Sequence, residues 1–215
     1  MKYILRIIFL IILLIFPEFQ SMAQSVERPA IWGIAKMTFL VSDFRLARNY
    51  YGKFLGFDEA FSYPSVQGKV ISFKVNDRQF LEFIEDPKAR DKRRLVSVSF
   101  ETENAEQLRQ FLKSKGLLVP EKTTKDGAGN EGFWVKDSSG NPVEFIEMKE
   151  DGLHYRSKGQ FLSETRISER IHHVGLFCNE VVDIDPFYVG ILGFKEFWRY
   201  PENHQEKVEM NYLQI

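Results

Sequence analysis

The chain is poor in the residue types that build metal centres and disulfide frameworks. It has one cysteine, Cys178, and four histidines among 215 residues. A single cysteine excludes an intrachain disulfide framework and a Cys-rich zinc site. Any metal held within one chain must therefore be bound by histidine and carboxylate groups.

The chain also lacks an excess of either charge. It has 29 Lys plus Arg and 30 Asp plus Glu, for a net charge of -1. Proteins that bind nucleic acid use a basic excess to release counterions, so we expect no nucleic-acid partner. The motifs of the common hydrolases and zinc proteases are absent as well. Gly127, Gly129 and Gly132 have the spacing of a dinucleotide-binding loop, but a predicted strand follows them instead of a helix, so we interpret them as an ordinary loop.

Only one long apolar run occurs, from Ile7 to Phe16. Lys2 and Arg6 precede it, and the small-residue pattern ending at Ala23 follows it. The run is too short to span a bilayer as a helix but is typical of a secretory signal. We therefore predict a signal peptide over residues 1–23 and an exported, periplasmic or secreted protein with no integral membrane segment after cleavage. The alternative is an uncleaved membrane anchor.

Hydrophobic periodicity predicts the order strand, helix, strand, strand, strand, twice between residues 31 and 150. Ser42 is the predicted N-cap of the first helix. The next segment, 151–169, is polar and has no sustained periodicity, so it is predicted as a linker. The predicted elements are strands over 34–41, 58–63, 70–75, 79–85, 95–101, 120–125, 132–136 and 142–147, and helices over 43–55 and 104–115.

A longer repeat predicts a third unit. Residues 36–64 align without a gap on residues 173–201, and the end of the first helix recurs: Tyr51, Leu55, Gly56 and Phe57 match Tyr188, Leu192, Gly193 and Phe194. The positions that would match the last strand of the first unit fall beyond Ile215. We therefore expect residues 170–215 to be the incomplete start of a second domain.

These residues give the chain a recognisable pattern. A strand ends in Val41-Ser42-Asp43, a helix ends in Tyr50-Tyr51 and Leu55-Gly56-Phe57, and a turn and strand close the second unit over 137–144. The pattern resembles the vicinal oxygen chelate (VOC) superfamily, which includes glyoxalase I, extradiol dioxygenases and bleomycin-resistance proteins. The resemblance implies an α+β fold in which repeated βαβββ units form a curled, cup-shaped mixed sheet. It leaves the reaction open, because one scaffold hosts many functions.

The resemblance also implies where a divalent metal would lie in the first domain. The family's ligand positions, on the first and last strand of each unit, correspond to Lys36, Glu82, Leu95 and Glu144. Neither an ammonium nor an isobutyl group offers a lone pair to a metal, so we expect this site to be degenerate and the first domain metal-free. We predict that the Lys36 ammonium takes the place of the metal and pairs with Glu82 or Glu144. The alternative is that all three are solvated residues on a half-open sheet.

His173 is the first-strand residue of the third unit, and here the family's histidine is present. Strand alternation predicts that the rings of His172 and His173 lie on opposite faces, with His173 pointing inward. We expect His173 to be a metal ligand of the second domain, with the other ligands beyond Ile215. The metal (Fe, Mn, Zn or Ni) is not distinguishable from the sequence.

Two classes of function remain. In the first, the intact protein is an exported metal-dependent enzyme, either dioxygenase-like or a glyoxalase-like lyase or isomerase, with its metal in the second domain. In the second, it is a metal-free small-molecule binding protein of the bleomycin-resistance type, with an aromatic-lined cup. The resemblance also leaves room for a homodimer.

Overall fold

The computed structural model of the protein describes residues 26–91, 93–201, 207 and 209–215. The predicted signal peptide, residues 1–23, lies outside the described residues. The first part of the chain contains β1 (Ile31–Val41), α1 (Phe44–Ala47), which continues as a π-helix (Arg48–Phe54), β2 (Glu59–Ser65), β3 (Gly68–Lys74), β4 (Phe80–Glu85), a 3₁₀ turn (Ala89–Asp91), β5 (Leu95–Thr102), α2 (Ala105–Ser114), β6 (Thr124–Lys125), β7 (Glu131–Lys136) and β8 (Pro142–Glu147).

These strands form one eight-stranded mixed sheet in the order β2-β3-β4-β1-β5-β8-β7-β6. Within each unit the first and last strands are parallel: β1 pairs with β4, and β5 pairs with β8. The two units join through the antiparallel pair β1 and β5. The sheet is a curled half-barrel, which confirms the predicted α+β fold of repeated βαβββ units.

The helix starts follow local capping chemistry. The N-cap of α1 is Asp43, whose carboxylate accepts a 2.6 Å hydrogen bond from the Arg45 amide, so the prediction of Ser42 was wrong by one residue. Asn104 caps α2 by accepting a hydrogen bond from the amide of Gln107. A carboxylate or amide oxygen at this position satisfies an amide that has no partner within the helix.

One set of apolar side chains of the sheet lies on the face that the helices cover. Phe39, Phe73 and Phe83 pack under α1, and Phe100 and Phe145 pack under α2. Because successive strand residues point to opposite faces, the alternate positions of the same strands line the other face. We call that other face of the eight-stranded sheet the first cup.

The rest of the chain packs onto this sheet. The predicted linker contains a short helix, α3 (Leu153–Arg156), and the third unit contains α4 (Val181–Asp185), a π-helix (Pro186–Ile191), β9 (Lys195–Tyr200) and β10 (Met210–Gln214). Phe187, Tyr188, Leu192 and Phe194 join the core under α2. The strands β9 and β10 form a separate two-stranded sheet.

The alignment with residues 36–41 of β1 predicts that the third unit begins with a strand near His173, and this prediction is wrong, because residues 173–178 have no regular secondary structure. In the first unit the equivalent strand, β1, bonds to β4 on one side and β5 on the other. No strand among the described residues pairs with 173–178, and an extended segment without ladder partners is not a strand. The part of the chain that the structure describes contains no helix that is long and apolar enough to cross a membrane.

Candidate functional site

Three charged residues meet in the first cup. Lys36 lies on β1, Glu82 on the neighbouring β4 and Glu144 on β8. Each alternates with the residues of its strand that pack under the helices, so all three side chains leave the sheet on the opposite side. The Lys36 Nζ is 3.1 Å from Glu82 Oε2 and 3.4 Å from Glu144 Oε2. Lys36 was predicted to pair with Glu82 or Glu144, and in the structure it pairs with both.

The cluster is buried, which excludes the alternative of solvated residues. Lys36 is 4% exposed, Glu82 is 0% and Glu144 is 5%. Asp126 is the most exposed acid beside the ammonium, at 3.8 Å, with a quarter of its side chain accessible. Burying a charge without a partner is costly, and the Lys36 ammonium supplies a positive charge to both acids in the interior.

The environment drives the pKa values of the two glutamates in opposite directions. Burial raises the pKa of Glu82, but the Lys36 charge and the hydrogen bonds with His154 and Tyr63 together lower it well below its usual value. Burial also raises the pKa of Glu144, and the Lys36 charge and the Ser99 hydroxyl offset only part of this, so its pKa lies above the usual value. The two pKa values differ in direction because more hydrogen-bond donors contact the Glu82 carboxylate than the Glu144 carboxylate.

The Lys36 side chain remains protonated. Burial lowers the pKa of this ammonium, but the negative charges of Glu144 and Glu82 outweigh that effect and raise the pKa well above its usual value. The nearby phenol of Tyr63 donates a 2.7 Å hydrogen bond to Glu82 Oε2. Burial and the negative charge of Glu82 raise the pKa of that phenol well above its usual value, so it remains a donor.

His154 completes the cluster, and the sequence analysis missed it. The residue lies on α3, inside the predicted linker, and is fully buried. Its Nε2 is 3.0 Å from Glu82 Oε1, and its Nδ1 is 2.8 Å from Asn130 Nδ2. No spacing or periodicity in 151–169 marks this histidine, because its partners lie on distant strands and loops.

The hydrogen-bond network assigns the tautomer of His154. The Asn130 amide nitrogen also faces the carboxylate of Asp126, at 3.2 Å, and a carboxylate accepts only. The same NH₂ group therefore donates to His154 Nδ1, which must be unprotonated. The proton of the ring is on Nε2 and is donated to Glu82. Asp126, Asn130, His154 and Glu82 thus form one hydrogen-bonded chain.

Leu95 lies away from this cluster. The register of β5 against β1 shifts between the pairs Thr38–Ser97 and Phe39–Leu95. Because Val96 is the extra residue, Leu95 packs against the core on the helix-covered side, while Val96 faces the first cup. Ser99 is the β5 residue that hydrogen-bonds Glu144. A count along the strand could not have revealed this bulge.

His173 is exposed and lies outside the first cup. Its ring centroid is 5.9 Å from that of His172, in edge-to-face contact, and 6.0 Å from that of Tyr212 on β10. The two histidine rings are therefore neighbours and do not lie on opposite faces of a strand. The role of His173 as a ligand remains a prediction.

The first-domain residues do not fit a divalent metal. Among the described residues, no group of three or more His, Cys, Asp and Glu side chains is arranged to hold one. The two glutamates converge on an ammonium, which is a donor and carries the positive charge that a metal would supply. A cation placed there would have to displace Lys36.

Sequence comparison identifies the family. The model of the glyoxalase/bleomycin resistance protein/dioxygenase superfamily matches residues 33–145, more than half of the chain. The chain belongs to this superfamily, as the resemblance of its helix ends and strands indicated. No curated protein matches the chain.

Solved structures share the fold at low sequence identity. Methylmalonyl-CoA epimerase from Mycobacterium tuberculosis is 17% identical, with a TM-score of 0.52 over 57% of this chain and 92% of its own. A variant of the Streptomyces coelicolor epimerase in complex with 2-nitronate-propionyl-CoA is 15% identical, with a TM-score of 0.52 over 57% and 99% of the two chains. A variant of homoprotocatechuate 2,3-dioxygenase from B. fuscum is 18% identical, with a TM-score of 0.64 over 88% of this chain and 52% of its own.

Proposed function

We propose that this chain is an exported superfamily member in which the first domain, 31–150, is a metal-free scaffold and a second domain, starting near residue 170, carries a metal-dependent reaction. The reaction is of the dioxygenase type or of the glyoxalase-like lyase and isomerase type. The observation that carries the proposal is the position of the Lys36 ammonium between Glu82 and Glu144. An ammonium between the two acids supplies the positive charge that a metal would supply there, which favours a metal site elsewhere in the protein.

The extent of the structural likeness supports a two-domain arrangement. The similarity to the dioxygenase covers 88% of this chain, so it extends beyond the eight-stranded sheet, and this chain spans about half of the dioxygenase. At 18% sequence identity, this similarity is evidence for the fold and not for the activity. The substrate class we propose is a small molecule with two adjacent oxygen atoms, which a divalent metal binds as a chelate.

His173 is the one residue of the second domain that we propose as a metal ligand. Its side chain is exposed and beside Tyr212, which leaves the imidazole accessible. A metal site needs three or four ligands, and His173 supplies one, so the others must come from elsewhere in the protein. The metal would polarise the bound oxygens of the substrate.

The alternative, a metal-free binding protein, receives less support from the first cup. Binding of this kind needs an open, aromatic-lined concavity. Here the cup is filled by charged side chains and by His154, which packs against Phe61 and Phe80 with ring centroids 4.8 and 4.6 Å away. A ligand would have to displace these groups.

Metal analysis of the protein expressed from its full gene tests the proposal. We expect a bound divalent metal, measured by plasma mass spectrometry, that is lost with catalysis in His173→Ala and retained in His172→Ala, its adjacent control. Glu82→Gln should keep the metal, because Glu82 pairs with Lys36. Metal that disappears in Glu82→Gln would place the site in the first domain. Protein without metal would favour the binding alternative.

Export has its own test. Lys2, Arg6 and the run from Ile7 to Phe16 support a signal peptide ending at Ala23. The N-terminus of protein recovered from its native compartment should then be Gln24, as read by mass spectrometry. A mature protein that retains Met1 would favour the membrane-anchor alternative.

A further inference from the structure

One segment of the chain lies in the first cup as a ligand would. Residues 152–160, which we call the strap, follow β8 and return across the face of β1 to β4. Leu153 packs with Tyr63 and Val70, on the side opposite the helices. The buried His154 reaches Glu82 on β4, and the carbonyl groups of Ser157 and Gln160 reach Lys74 on β3.

The His154 ring is bound as a small heteroaromatic ligand is bound. One nitrogen donates to a buried carboxylate and the other accepts from a buried amide, so both polar atoms are satisfied. Phe61 and Phe80 present ring edges or faces to it at nearly perpendicular angles of 77° and 88°. Apolar walls with a few convergent polar groups are the usual composition of a small-molecule site.

The strap enters the first cup at a glycine that is in close contact with its neighbours. A Cβ on Gly152 would lie 2.8 Å from Asn130 Oδ1 and 3.0 Å from the carbonyl oxygen of Lys149. The next amide, of Leu153, donates a 2.7 Å hydrogen bond to the carbonyl of Ala128. The strap is therefore fitted to the loop that also carries Asn130.

A buried lysine fixes the other end of the strap. Lys74 is fully buried, and its Nζ donates to the carbonyl of Ser157 and, at 2.9 Å, to that of Gln160. The same ammonium pairs with Asp77 at 2.7 Å, and Asp77 accepts a 2.8 Å hydrogen bond from the Gly159 amide. Asp77 thus balances the charge of Lys74, and the two strap carbonyl groups accept hydrogen bonds from the buried ammonium.

We infer that the strap is an internal ligand of the first cup, and that the His154 side chain occupies a binding position for a neutral five-membered heteroaromatic with one N–H donor and one nitrogen acceptor. The first domain is therefore closed to exogenous ligands by its own chain. The inference concerns only the first domain and stands whether or not the second domain holds a metal.

The variant His154→Gly tests this inference. Removing the ring should create a site that binds free imidazole at pH 8, where imidazole is mostly neutral, with a dissociation constant of roughly 1 mM for a ligand of five heavy atoms. Added imidazole should raise the melting temperature of His154→Gly and leave that of the original protein unchanged. Tyr155→Gly is the matched control, because it places glycine in the same short helix and leaves the ring in place.

A second probe distinguishes a site with specific hydrogen bonds from a nonspecific apolar cavity. 1-Methylimidazole retains the acceptor but lacks the N–H that Glu82 needs, so its affinity should be at least tenfold weaker than that of imidazole. Equal binding of both probes, or binding of imidazole to the original protein, would overturn the inference. So would a folded His154→Gly that binds neither probe.

A second variant covers the outcome in which His154→Gly does not fold. Lys74→Met keeps the length of the side chain but removes the anchor of Ser157 and Gln160. Hydrogen exchange should then accelerate in residues 152–160 while β1 and β4 stay protected. Exchange of the strap amides in the original protein should be as slow as in the sheet; fast exchange there would show a loose cover and would contradict the inference.

Discussion

The Lys36 ammonium on β1 and the Glu144 carboxylate on β8 are 3.4 Å apart, although β5 lies between their strands. Curvature of the sheet brings the two side chains together over the face of β5, where Ser99 hydrogen-bonds the same carboxylate. Glu82, which also pairs with Lys36, belongs to the first unit. One side chain therefore links the two βαβββ units electrostatically.

The first prediction concerns the loss of this ammonium. Lys36→Met keeps the apolar volume but leaves Glu82 and Glu144 buried and unpaired, so the free energy of unfolding at pH 7 should fall by about 3–5 kcal/mol. Urea denaturation measures the change. The exposed Lys69→Met is the control and should change the free energy by less than about 0.5 kcal/mol.

The same variant should depend on pH in a defined way. Without Lys36 the acids bind protons more readily, so the deficit should shrink as the pH falls and they become neutral. Adding Glu82→Gln and Glu144→Gln to Lys36→Met should recover part of the lost stability at pH 7. A deficit that stays constant between about pH 7 and pH 4 would show that lost packing, and not unpaired charge, is the cause.

The second prediction follows from the lowered pKa of Glu82. The unfolded chain protonates this carboxyl near pH 4.3, whereas the folded protein keeps it ionised to lower pH. Its contribution to stability is therefore fully present above about pH 4.3 and is lost as the pH falls toward the folded pKa. In Glu82→Gln the free energy of unfolding should therefore fall less steeply below about pH 4.3. Unfolding curves recorded at a series of pH values measure this change.

Glu144→Gln should change the pH dependence of stability in the direction opposite to Glu82→Gln. The folded pKa of Glu144 is raised, so the stability linked to its proton is present below the unfolded pKa and is lost as the pH rises through the folded pKa. In Glu144→Gln the loss of stability at low pH, which is due to Glu82, should remain. The loss of stability at higher pH, which is due to Glu144, should disappear. Identical profiles for the two variants would show that the acids are not electrostatically distinct.

The third prediction concerns Gly127, in the loop that positions Asp126 and Asn130. A Cβ at this position would lie 1.9 Å from the carbonyl oxygen of Pro64, which is backbone and cannot rotate away. Gly127→Ala should therefore destabilise the protein by about 1–3 kcal/mol or more. Gly175→Ala is the control, because its Cβ would meet nothing within 4 Å. Equal thermal stability of the two variants would contradict the packing.

The fourth prediction concerns the hairpin of β9 and β10. Among the residues that the structure describes, its two strands pair only with each other, and Phe197 is 78% exposed. A two-stranded sheet is marginally stable, so its amides in the 215-residue chain should exchange with solvent much faster than those of β1 and β4. Mass spectrometry after proteolysis resolves the two regions. Protection equal to that of β1 would mean that the hairpin is stabilised by contacts beyond its own pairing.

Local patterns predicted most of the first domain. The strands β1, β4, β5 and β8 were predicted within a few residues, because alternation of apolar and polar residues reflects one covered face. Lys36, Glu82 and Glu144 could be placed on one surface by that alternation together with the family resemblance. Leu95 was misplaced, because the bulge at Val96 inverts the faces of β5, and alternation assumes an unbroken strand.

The sequence by itself determined the order of strands and helices, the repeat of the unit, and the presence of three charged residues on otherwise apolar strands, because these depend on neighbours a few positions apart. Only the tertiary structure decided that His154 enters the first cup and that residues 173–178 form no strand. Glu82 and His154 are 72 positions apart, and a strand exists only where another strand bonds to it. Such contacts are fixed by the curvature of the sheet and by the path of the chain across it, which local periodicity does not encode.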